Sequence, residues 1–141
     1  MSVYSIAIFL HVVGALGLYS TLALEWAGHE QVRRVGGPSA LLVLATGIYM
    51  TATRWGPRPW IVIGLAAMVL MAIMGPTLSR RPGAAALSLH LRTWLFLGIV
   101  FLMTTEPGLA GSLVVIGVAA LIGVATALPA RSPARMAGSE R

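Results

Sequence analysis

Five long apolar runs, parted by short polar or Pro/Gly-rich connectors, organise this chain. The first covers about residues 3–25 and closes on Glu25-Trp26. The polar segment Gly28-His29-Glu30-Gln31-Val32-Arg33-Arg34 follows. Gly36-Gly37-Pro38 then opens a second run over 38–53, with Pro38 in the first helical turn, where its missing N–H matters least. Arg54-Trp55-Gly56-Pro57-Arg58-Pro59 breaks the pattern, because two prolines and a glycine forbid continuous helix. A third run spans 60–78 and carries Gly75-Pro76 near its end. After Ser79-Arg80-Arg81-Pro82-Gly83, a fourth run fills 86–105. Glu106-Pro107-Gly108 makes a tight turn into a fifth over 108–128.

Runs of this length predict transmembrane α-helices, since about 20 apolar residues cross a hydrocarbon core of roughly 30 Å. Fusing residues 84–128 into one helix would give a rod of about 67 Å at ~1.5 Å per residue, far too long for one crossing. The expected fold is therefore an all-α, polytopic bundle of about five spans over residues 1–128. Residues 129–141 are small, basic and Pro-containing, and read as a disordered cytoplasmic tail.

Composition supports this division. Hydrophobic residues are 57% and charged residues 10%, too few charges to cover a soluble domain of 141 residues. The acids are Glu25, Glu30, Glu106 and Glu140, and every basic residue is Arg. The chain has no Cys, which excludes disulfides and thiolate-held clusters. Five spans place Arg33, Arg34, Arg80, Arg81, Arg131, Arg135 and Arg141 on one side, with Arg54 and Arg58 on the other. By the positive-inside rule this predicts an outside N-terminus and a cytoplasmic C-terminus. A multi-pass protein of a bacterial-type inner membrane follows. Met1 to Tyr4 lacks the basic n-region of a signal peptide, so the first run is read as a retained helix. The net charge of +6 sits in short connectors, and no basic-aromatic surface points to nucleic acid.

Small residues mark helix contact faces in lipid. Ala119, Gly123 and Ala127 form one such stripe, and Ala7, His11, Ala15, Tyr19 and Ala23 form another. Either could serve bundle packing or homo-oligomerisation.

Ionisable groups inside a bilayer are costly and point to function or to a partner. His11 is the sharpest. It suits an axial haem ligand, a copper ligand or a proton relay. The plainer reading is a neutral imidazole bonded to a neighbouring helix. His90 is a second candidate cofactor ligand, though it lies nearer the cytoplasmic end, offset from His11 by about 10 Å. Glu25 and His29, four residues apart, could join His90 in a carboxylate–imidazole metal cluster. Arg92 is expected to pair with Glu25, which should lie at its level. Met68, Met71 and Met74 could line a copper(I) path or simply fill the core. Glu106 could attract cations at a pathway mouth or merely end its helix. No P-loop, nucleophile elbow, HExxH or dinucleotide fingerprint occurs.

Phe9-Leu10-His11-Val12-Val13-Gly14-Ala15 resembles the first helix of small bacterial membrane families: the DUF2269-type proteins, the copper-resistance CopD-like domain and the HemJ-like proteins. Leu91-Arg92-Thr93-Trp94-Leu95-Phe96 and Leu102-Met103-Thr104-Thr105-Glu106-Pro107 resemble the first of these most. The resemblance implies that His11 is the family histidine, tied to haem or copper in the latter groups. The leading expectation is a non-catalytic accessory or structural membrane subunit without a cofactor, lodged in the lipid bilayer and associated with itself or with other membrane subunits. The alternative is a redox or transport protein handling haem b or copper through His11, with His90 and the third-run methionines as helpers.

Overall fold

The computed structural model describes residues 2–29, 33–78, 81 and 83–128. The stretch 129–141, expected to be a tail, lies outside the described residues. Among the described residues five helices are long and apolar enough to cross a membrane, at 19 to 24 residues each when the second is followed on to Trp55. They are α1 (Val3–Trp26), α2 (Arg33–Met50), α3 (Pro59–Leu78), α4 (Ala85–Thr105) and α5 (Leu109–Ala127). Their outer surface is apolar: Phe9, Leu16, Leu41, Val114 and Leu121 are 61–71% exposed. A water-soluble monomer does not leave so continuous an apolar coat uncovered. The chain is a polytopic integral membrane protein.

α1 packs chiefly on α2, and α4 on α5, while α3 lies against α4. The core sits where the pairs meet, with Leu18 of α1, Met68, Met71 and Met74 of α3, and Leu95 and Ile99 of α4. Glycine sets both tight pairings. A Cβ on Gly14 would stand 2.9 Å from Val43 Cγ2 and 3.2 Å from the Ser39 carbonyl oxygen of α2. One on Gly123 would stand 3.0 Å from the Leu91 Cα. The Ala119–Gly123–Ala127 stripe thus faces α4, with Ala119 against Gly98. The α1 stripe is different from the one the small residues suggest. Ala7, Gly14, Leu18, Leu22 and Glu25 are buried, whereas Tyr19 is 54% exposed. Steps of four residues drift about 40° each around a helix of 3.6 residues per turn, so Tyr19 rotates out of the contact.

The second span also differs from its expected bounds. α2 begins at Arg33, and Pro38 lies inside it rather than in its first turn. Gly37 explains how: with no Cβ it avoids the clash that drives a residue before proline out of helical geometry. Gly36 holds this early turn on α1, where its Cβ would meet Thr21 Cγ2 at 2.9 Å. At the other end α2 continues as a π-helical stretch, Thr51–Trp55. There the Gly56 N–H donates to the Thr51 carbonyl at 2.9 Å. Thr51 and Thr53 hydroxyls donate back to the Gly47 and Tyr49 carbonyls, each at 2.8 Å. Such side-chain competition loosens the regular ladder. Gly56 then turns the chain at φ 69°. The second span is thereby long enough to cross, at 22 residues.

Candidate functional site

The polar groups within the bundle meet in pairs that tie one helix to another. His11 on α1 lies over Gly47 of α2, its Cε1 3.5 Å from where a Cβ would stand. Its Nδ1 is 2.9 Å from Thr46 Oγ1. The Thr46 hydroxyl has a single proton and stands 2.6 Å from the Leu42 carbonyl oxygen, to which it donates. Nδ1–H of His11 therefore donates to Thr46, and the free lone pair belongs to Nε2. The same construction recurs between α4 and α5. His90 Nδ1 is 2.9 Å from Thr126 Oγ1, and Thr126 donates to the Ile122 carbonyl at 2.8 Å. His90 also meets the Trp26 ring edge-on, at 4.5 Å between centroids. Trp26 Nε1 donates to Thr93 Oγ1 at 3.0 Å.

Among the described residues, Glu25 and Arg92 form the most deeply placed charge pair. Arg92 Nη1 donates to Glu25 Oε1 at 3.3 Å, and Nη2 to Oε2 at 2.5 Å. The side chains are only 3% and 11% exposed. This two-pronged geometry suits a guanidinium and a carboxylate shielded from water. Arg92 packs beside Gly75 of α3, where a Cβ would stand at ordinary contact distance, 3.6 Å, from Nη1. Arg92 Nε additionally donates to the Ser88 carbonyl at 3.4 Å.

At the opposite end, Trp55 Nε1 donates to the Tyr4 hydroxyl at 2.6 Å, and Arg54 lies 5.0 Å above the Tyr4 ring. Arg58 and Glu106 pair at 3.4 Å, both largely exposed. Glu106 caps α4 in the left-handed region at φ 45°.

These placements separate the candidate ligands. His11 belongs to the α1–α2 pair, and His90 to the α4–α5 pair and Trp26. His29 is exposed in the turn after α1, its backbone N–H bonded to the Leu24 carbonyl. Among the described residues no three His, Asp or Glu side chains gather as a metal-holding group. Met68, Met71 and Met74 are buried in the central core among Leu18, Leu95 and Ile99. Thr46 and Thr126, the partners of the histidines, were not singled out by the sequence. Their signal would have been a threonine on the next helix of each small-residue pair.

The sequence also gives no direct sign of a cleft of about 490 Å³ between α1, α2 and α3. Leu18, Leu22, Met68 and Met71 form its apolar floor. Glu25, Arg92 and Arg34 stand at its polar end.

Fold and side-chain pairing define a small polytopic helix bundle of the membrane, braced internally by polar couples. Comparison with protein-family models, curated proteins and solved structures finds no match.

Proposed function

We propose that the chain is a non-catalytic accessory or structural subunit of a bacterial-type inner membrane, working through helix–helix contacts. The supporting observation is the way its intramembrane polar groups are used. His11–Thr46, His90–Thr126 and Glu25–Arg92 each tie two helices together, and among the described residues no three His, Asp or Glu side chains gather into one centre. A catalytic centre requires such groups to converge on one reacting atom.

α2 offers the surface for association. It packs mainly on α1, and only 6% of its apolar window is buried. The same reading puts the Glu25 end in the cytoplasm, since in sequence Arg33, Arg34, Arg80 and Arg81 fall at or next to the breaks on that side, against Arg54 and Arg58 at the other end. Partners are further copies of the chain or other membrane subunits.

The test is cross-linking in native membranes from a cysteine placed at Ile48 on the exposed face of α2, followed by purification in mild detergent. The expected outcome is a discrete larger species, no haem absorbance and no stoichiometric metal. A monomer that never cross-links would overturn the proposal.

One observation favours a second reading, haem or copper bound through His11. Thr46 takes Nδ1, and among the described residues no hydrogen bond is made at Nε2. A Soret band or stoichiometric copper, lost in His11→Ala, would establish it.

A further inference from the structure

We propose that the cleft between α2 and α3 is a site for one anionic phospholipid of the surrounding bilayer. Three features converge there. The first is shape. Facing positions on the two helices are small, Gly37 and Ala40 on α2 and Ala72 and Gly75 on α3. Small residues normally let helices close on each other. Here they line empty space, and a Cβ on Gly37 would meet nothing within 4 Å. The volume, about 490 Å³, falls within the roughly 300–1,000 Å³ of small-molecule sites.

The second is depth. The cleft follows α1 from Glu25 to Leu18 and α3 from Pro76 to Met68. At ~1.5 Å per residue that is about 10–12 Å, most of one leaflet of a ~30 Å core. Its rim is made of exposed Leu41 and Ala72, so it opens sideways onto lipid. The molecules presented to it are therefore those of the bilayer, tail alongside the helices and head at the end.

The third is charge. Glu25 neutralises Arg92. Arg34 stands at the same mouth, exposed, and no carboxylate pairs with it among the described residues. Among the described residues that line the cleft, Arg34 and Arg92 against Glu25 leave one positive charge over, which suits an anionic headgroup. α2 also begins at Arg33, so the positive end of its dipole lies at this level.

The test uses the full chain in detergent, titrated with anionic or zwitterionic phospholipid of identical acyl chains and followed by native mass spectrometry. One anionic lipid per chain is expected to persist, with zwitterionic lipid bound about fivefold more weakly, the effect of a single arginine at a membrane surface. Arg34→Gln should abolish that preference, and Arg58→Gln at the far end should leave it. Ala72→Trp, a substitution at the exposed rim, should block retention of either lipid while the thermal transition is preserved. Equal retention of both headgroups would overturn the proposal. So would preferential uptake of free fatty acid, or binding indifferent to both Arg34→Gln and Ala72→Trp.

Discussion

A threonine that bonds its own helix dictates which nitrogen of a neighbouring histidine carries the proton. Thr46 and Thr126 each spend their hydroxyl proton on a carbonyl one turn back, so each can only accept from an imidazole. Both His11 and His90 are thereby fixed with the proton on Nδ1. Nitrogen NMR of the histidine-labelled protein should show protonated Nδ1 and bare Nε2 at both positions. Thr46→Val should release that preference at His11 and leave His90 unchanged, at a stability cost of about 0.6 kcal/mol, the average for hydrogen bonds between membrane helices. An Nε2–H tautomer at His11 in the unmodified protein would contradict the donor order deduced for Thr46. The Glu25–Arg92 pair makes a larger demand. Each charge is nearly excluded from water, so removing one deprives the other of its two-pronged partner. Glu25→Leu or Arg92→Leu alone should destabilise by about 3–5 kcal/mol, whereas the double substitution should recover most of it. Thermal unfolding in detergent of the three variants measures this, and additive losses would show that the pair does not act as a unit.

Helix pairing is decided by where the backbone can come close. Gly123 of α5 is the sharpest case, because a Cβ there would stand 3.0 Å from the Leu91 Cα and 3.4 Å from the His90 carbonyl oxygen. Those atoms belong to the α4 backbone and cannot swing aside. Gly123→Leu should push the two helices apart and take the His90–Thr126 bond with it. The Nδ1 hydrogen bond of His90, read by nitrogen NMR, should then be lost. Gly117 faces open space, so Gly117→Leu should leave it intact. The fifth-helix stripe was legible in the sequence because Ala119, Gly123 and Ala127 stay on one side over only two turns. The α1 stripe was not, because four-residue steps carried on to Tyr19 and Ala23 outrun the helical repeat. The second span illustrates a different limit. Gly-Gly-Pro reads as a boundary, and only contact with Thr21 shows that the helix runs back through it to Arg33. The site was partly legible for the same kind of reason. A buried charge announces that it needs an opposite, so Glu25 and Arg92 could be matched from their depths alone. A threonine in an apolar helix announces nothing, since its hydroxyl is satisfied by its own backbone.

For the molecule as a whole, the decisive quantity is which ends of the five helices share a side of the bilayer. With every helix crossing, the connectors after α1 and α3 stand together, and those after α2 and α4 stand opposite. This arrangement places Glu25, Arg92 and the mouth of the α2–α3 cleft at one surface, and Tyr4, Trp55, Arg58 and Glu106 at the other. The chain has no cysteine of its own, so single cysteines report without background. Ala27→Cys and Arg81→Cys lie in exposed connectors at the Glu25 end, and Arg58→Cys and Glu106→Cys at the Tyr4 end. In sealed inside-out vesicles a membrane-impermeant maleimide should label the first two and spare the second two, with the pattern reversed in intact spheroplasts. This expected direction rests on the arginine asymmetry, because basic connectors resist translocation. Labelling of Ala27→Cys and Arg58→Cys from one compartment would mean that α2 does not cross. The α2–α3 cleft would then lose its lipid-facing mouth, and Arg34 would no longer stand at headgroup depth beside the Glu25–Arg92 pair.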